Sequence, residues 1–103
     1  MANADDTLDW QLLPVRDDLA LALQDWRSWL AHERRLSAHT CRAYGADIID
    51  FLQFMAGHQG SALALNHLTA IDLRALRSWL AHRAHDGATA ATRARNLSAL
   101  RSL

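Results

Sequence analysis

Two short clusters hold most of the chemistry this chain can offer. Ser37, His39, Thr40 and Arg42 form the first, and Thr89, Thr92, Arg93 and Arg95 form the second. In each, a hydroxyl residue leads, as an N-cap should, and arginine follows. A helix start presents unpaired backbone N–H groups and the positive end of the helix dipole, a setting that suits phosphate. Hydroxyls and arginines placed there can fix a nucleic-acid backbone, and an outer side chain such as His39 can reach base edges. Ordinary helix capping accounts for the same serine and threonines, so the clusters alone leave both readings open.

No other grouping has the spacing of a catalytic or metal site. His82 and His85 are three apart with only Asp86 close in sequence, which falls short of a zinc ligand set. Cys41 is the single cysteine, so an internal disulfide and a cysteine-rich zinc site are excluded. There is no phosphate-cradling glycine loop, no GxSxG and no HExxH. Tyr44 falls on an apolar stripe, where it reads as a core residue with its hydroxyl at the rim. No catalytic residue, metal or cofactor is expected.

The elements that must position the two clusters read as helices. The chain has 103 residues, one proline and four glycines, and half its residues are hydrophobic. That composition suits one all-α domain. Asp17 or Asp18 can cap a first helix running to about Arg35, with Leu19, Leu23, Trp26 and Leu30 on one face and Trp29 beside it. Ser37 caps a second helix, whose stripe is Tyr44, Ile48, Phe51, Leu52 and Met55 and whose stop is Gly57. Residues 58–68 read as a loop. Thr69 opens a capping box for a third helix, with Leu73, Leu76 and Leu80 inward and Trp79 alongside, ending at Asp86 and Gly87. Thr89 caps a fourth helix that turns Leu97, Leu100 and Leu103 inward. The string RSWLAH occurs twice, at residues 27–32 and 77–82, each time ahead of one of the clusters. That placement suggests two helical hairpins, with Trp26, Trp29 and Trp79 packing between helices.

Charge is unevenly spread. Residues 1–25 carry six Asp against one Arg, a balance of −5, and residues 26–103 carry ten Arg against five acids, a balance of +5. An acidic arm at residues 1–15 ahead of a body with a basic face fits these counts. All the basic residues are arginine, which suits bidentate phosphate contact. No secretory leader and no membrane-spanning run is present, so a cytoplasmic protein is expected. The apolar last residue, with no stop signal before it, suggests that the natural protein continues.

The segment ERRLSAHTCRAYGADIIDFLQFM, then LTAIDLRALRSWL, then ATAATRARNLSALRSL, resembles the N-terminal core-binding domain of tyrosine recombinases, Xer branch. The pattern is met by Arg35, Leu36, Ser37, Thr40, Arg42, Tyr44, Asp47, Phe51 and Phe54, and later by Arg93, Arg95, Leu97, Ser98, Leu100, Arg101, Ser102 and Leu103. The resemblance spans roughly residues 19–103. Gly45 and Ala46 depart from it where bulkier, often basic residues are usual, and Asn96 replaces what is often a second basic residue.

The resemblance implies a four-helix, SAM-like bundle of two crossed hairpins occupying residues 16–103. It implies binding to double-stranded DNA, with catalysis left to a separate C-terminal domain, and a second, XerD-like recombinase subunit as partner in the full-length protein. The isolated domain is expected to be a monomer. Ser37, Thr40, Arg42, Thr89, Thr92, Arg93, Arg95 and Arg101 are the expected phosphate contacts, and His39 is the expected groove contact. The rival outside the family is a helical protein–protein interaction module, with Trp10, Leu12 and Leu13 of the arm as its docking peptide. Within the family the rival is a phage or integron integrase.

Overall fold

The computed structural model describes residues 14–103, and the regular structure of those residues is entirely helical. Nearly all of the acidic arm, with Trp10, Leu12 and Leu13, lies outside the described residues. Helix α1 (Asp17–His32) buries Leu19, Leu23, Trp26 and Leu30, the face its spacing predicts. Its cap position is Arg16, which supplies no side-chain bond. Asp17 and Asp18 instead occupy the first turn, where a carboxylate complements the helix dipole.

Helix α1 stops at His32 rather than Arg35. Glu33 and Arg34 both donate their N–H to the Trp29 carbonyl, and Leu36 donates to that of Leu30 at 3.1 Å. Between them Arg35 takes a left-handed backbone with φ 53°. Arg34 and Arg35 therefore belong to the turn that leads into the next helix, not to a last helical turn.

Helix α2 (Ala38–Gln59) begins as expected, with Ser37 Oγ accepting from Thr40 N at 3.1 Å. It passes through Gly57 and ends at Gly60, whose φ of 74° closes the turn. The stop requires one glycine at positive φ, and Gly60 supplies it.

The expected loop contains a single helical turn, α3 (Leu65–Thr69). One turn is too short to show a period in sequence. It is held from outside by the Asp18 carboxylate, which accepts from Leu65 N, and from within by His67 Nδ1, which accepts from Ala64 N at 2.8 Å. Just before it, Leu63 pairs with the incoming chain, donating to the Pro14 carbonyl and accepting from Arg16 N.

Helix α4 (Leu73–His85) is capped by Asp72, which accepts from Ala75 N at 2.8 Å, and not by Thr69. The Thr69 hydroxyl is turned to the Asn66 carbonyl within α3. Asp86 and Gly87, the latter with φ 95°, end α4 where expected. Helix α5 (Ala90–Ser102) starts at Thr89, which accepts from Thr92 N at 3.1 Å.

Helix α2 is the centre, packed against α1, α4 and α5. Ile48, Phe51, Leu52 and Ala56 from α2 meet the α1 stripe and Trp79 of α4, with Phe51 and Trp79 edge to face at 5.0 Å. The inward faces of α4 and α5 differ from expectation. Trp79 is 0% exposed, while Leu73, expected inside, is 59% exposed. On α5 the fully buried residues are Asn96 and Ala99, while Leu97 and Leu100 are half-buried and Leu103 is exposed. Small residues at a helix contact let the backbones approach closely, and Ala99 takes that place where a leucine was expected.

A polar seam accompanies this approach. Asp50 of α2 accepts from the Trp79 indole N–H at 2.8 Å and from Arg83 Nη1 at 3.3 Å. Arg83 Nε in turn donates to the buried Asn96 Oδ1 at 3.4 Å. Nearer the start of α2, Asp47 pairs with Arg95 of α5. The departure at Asn96 thus falls on a buried position inside the seam, and Gly45 is likewise buried, whereas Ala46 is exposed.

Candidate nucleic-acid interface

The two expected clusters form matching helix starts. At α2 the Ser37 hydroxyl accepts from Thr40 N at 3.1 Å and donates to Thr40 Oγ1 at 3.0 Å. At α5 the Thr89 hydroxyl accepts from Thr92 N at 3.1 Å and donates to Thr92 Oγ1 at 3.1 Å. Ser37 and Thr89 are exposed, and Thr40 and Thr92 are half-buried. The leading hydroxyls thus act as caps, and each leaves backbone N–H groups of its first turn to an outside acceptor.

Charge separates these two starts from the others. The first turns of α2 and α5 contain no acid. The α1 start carries Asp17 and Asp18, α4 is capped by Asp72, and α3 receives the Asp18 carboxylate. A carboxylate satisfies the N–H groups and offsets the positive end of the dipole. The α2 and α5 starts have no such carboxylate to offset that positive end.

The arginines are arranged unequally. Arg42 and His39 are exposed on the first turns of α2. Arg34 and Arg35, which the sequence places inside a helix, are exposed in the turn before Ser37, with the Arg34 guanidinium 5.5 Å from the centre of the Trp29 ring. Their place beside the α2 start could have been read only by ending α1 earlier. Arg93 Nη1 donates to the Ala88 carbonyl at 3.0 Å, tying the half-buried side chain to its own turn. Arg101 lies in the last turn of α5, apart from either helix start, and borders an apolar groove.

Arg95 is the most constrained. Its Nε donates to Asp47 Oδ2 at 2.8 Å and its Nη2 to Asp47 Oδ1 at 2.7 Å. These hydrogen bonds raise the pKa of Arg95, against a smaller lowering by burial and with further help from the charges of Asp47 and Tyr44. The pair joins the N-terminal halves of α2 and α5. At a rise of roughly 1.5 Å per residue, Ser37 lies about 15 Å along its axis from this link, and Thr89 about 9 Å.

Among the described residues no cluster of three or more His, Cys, Asp or Glu could hold a metal ion. His82 pairs instead with Asp86 at 3.3 Å and lies tilted against Phe54, with ring centres 5.1 Å apart. Among the same residues no helix is long and apolar enough to cross a membrane.

Comparison with known proteins gives one consistent neighbourhood. The family model described as phage integrase, N-terminal SAM-like domain, matches residues 23–103. The chain is similar to tyrosine recombinase XerC of Rhodospirillum centenum, 55% identical over 85 residues, covering 82% of this chain and 25% of that protein. It is similar to tyrosine recombinase XerC of Brucella suis, 45% identical over 92 residues, covering 89% of this chain and 29% of that protein. Tyrosine recombinase XerC of Mesorhizobium japonicum is 40% identical over 92 residues, covering 89% and 30%. The chain thus spans between a quarter and a third of the length of these relatives. No solved structure matches it.

Proposed function

Because this chain belongs to the phage integrase N-terminal, SAM-like domain family, we propose that it is the DNA-binding module of a XerC-like, site-specific tyrosine recombinase. The parent protein acts in chromosome dimer resolution or DNA integration in the cytoplasm, beside a second, XerD-like subunit. This module is a monomer alone, holds double-stranded DNA and cleaves none, strand cleavage being left to a separate catalytic domain.

The observation that carries the reading is the pair of acid-free, hydroxyl-capped starts of α2 and α5. Each takes a phosphate on its free backbone N–H groups. Ser37, Thr40, Arg42, Thr89, Thr92, Arg93 and Arg95 surround these phosphates, with Arg101 contacting the backbone further along and His39 facing the groove.

Thr40→Glu tests this directly. It completes a capping box with Ser37, so the helix is at least as stable as before. It also puts a carboxylate where phosphate should sit. Thermal melting should show an unchanged or raised Tm, while affinity for a mixed-sequence duplex at low salt falls about tenfold. Arg42→Ala should lower the slope of log affinity against log salt by about one. Undiminished binding by Thr40→Glu would sink the assignment of the α2 start.

The second reading is a helical protein–protein module. It is favoured by an apolar groove of about 570 Å³ between α1, α3, α4 and α5, walled by Leu65, Leu68, Ile71, Leu76, Leu97 and Leu100. A gel shift at low salt separates the two, since an adaptor would leave every duplex unshifted.

A further inference from the structure

Asp47 is a buried carboxylate, 3% exposed, and it is turned toward helix α5 rather than toward solvent. Burying a charge is costly unless it is paired and hydrogen-bonded. Here both carboxylate oxygens are met by the Arg95 fork, at 2.8 and 2.7 Å. The Arg95 side chain is nevertheless 41% exposed. A guanidinium carries five N–H donors in a rigid plane. The pair engages only the Nε edge, so the N–H groups on Nη1 and on the outer side of Nη2 have no acceptor among the described residues. The other carboxylate of the seam, Asp50, is bound by Trp79 and Arg83.

One edge of Arg95 is therefore locked inside the protein while the other faces out. An unanchored arginine loses rotamer freedom when it is fixed on a ligand. An anchored one has already lost most of it, and its plane points in one direction. We infer that Asp47 is a positioning residue for DNA binding, holding Arg95 so that its outer edge receives a phosphate oxygen of the duplex. The inference rests on the DNA-binding reading above and adds a residue to it that touches no DNA.

The alternative is a clasp that only joins α2 to α5. The two make opposite predictions for Asp47→Asn. That change removes a negative charge and keeps the shape. If Asp47 acts only as a clasp or as a stray charge, the more positive domain binds DNA more tightly. If Asp47 positions Arg95, binding weakens despite the gained charge, by about tenfold, the size of a lost charge-assisted contact. Arg95→Lys keeps the charge but lacks the fork, and should weaken binding to a similar degree. In the Arg95→Lys background, Asp47→Asn should cause no further loss.

The experiment is fluorescence anisotropy on a mixed-sequence duplex at one fixed salt, with thermal melts of each variant. Wild-type binding with a weaker Asp47→Asn variant supports the inference. Wild-type binding with an equal or tighter, folded Asp47→Asn variant overturns it and leaves the DNA reading standing. No binding by the wild type at low salt overturns the DNA reading and the inference together. The unaltered chain gives a second measurement that does not depend on how well the variant folds. By NMR, the Nε–H of Arg95 should be protected from exchange before DNA is added and stay protected after, while its Nη groups shift. Loss of that protection on binding DNA would overturn the inference.

Discussion

The hexapeptide RSWLAH at residues 27–32 and its copy at residues 77–82 meet opposite surroundings. In the first, Leu30 is fully buried and Trp29 is 38% exposed, with the Arg34 guanidinium over its ring. In the second, Trp79 is 0% exposed, edge to face with Phe51 and hydrogen-bonded to Asp50, while Leu80 is only half-buried. The inward face has moved by one residue, about 100° around the helix axis. Identical local sequence fixed the helix in both places, and the neighbouring elements decided which residue went inside. Helix α1 already had Leu19, Leu23 and Trp26 in register with Leu30, whereas on α4 the Leu73, Leu76 and Leu80 stripe yields to a tryptophan that meets an aspartate and a phenylalanine of α2.

The largest test of this contrast is the tryptophan pair. Trp79→Ala should lower unfolding stability by about 3–5 kcal/mol, the usual range for emptying a buried aromatic site. Trp29→Ala should cost about 1 kcal/mol or less, since it loses an exposed cation–π contact. Urea unfolding of the two variants measures the difference, and equal losses would break the comparison. Next comes the leucine pair, which should behave in reverse. Leu30→Ala should cost about 2–5 kcal/mol, and Leu80→Ala, already half in solvent, about 1 kcal/mol. The smallest effect isolates the polar component. Trp79→Phe keeps an aromatic ring but removes the N–H that Asp50 accepts, and should cost about 1–2 kcal/mol. A Tm unchanged by that substitution would mean that packing alone seats Trp79.

Much of this fold was readable from residue types alone. Ser37 and Thr89 cap their helices, the α1 stripe is buried as spaced, and Gly87 ends α4. These signals are local: a cap is a hydroxyl one turn from its own amide. Part of what was missed depends on partners distant in sequence, and part on a choice between neighbouring candidates for one cap. Helix α3 is one turn held by Asp18, and Asp72 displaced Thr69 as a cap because a carboxylate at that position reaches Ala75 N. Helix α5 was given an inward leucine face, yet Asn96 and Ala99 are its buried residues. Apolar periodicity ranks leucine above asparagine and cannot see that Arg83 waits to bond it.

The candidate interface divides in the same way. Its two helix starts were legible, because hydroxyl and arginine lie within one turn of each other. The lack of acid that distinguishes those starts was also in the sequence, but it gains meaning only beside the acid-bearing starts of α1 and α4. The Asp47–Arg95 pair was not legible, since its members are 48 positions apart. Arg34 and Arg35 were hidden by a helix end placed too late.

The left-handed turn at Arg35 has a consequence for how this domain would respond to selection for thermal resistance. A non-glycine residue there carries a backbone strain of roughly 1 kcal/mol, which glycine would relieve. A screen for heat tolerance alone would favour that replacement and would discard a cation from the entrance to α2. Stability and charge placement therefore compete at one residue, and the chain as it stands has kept the charge.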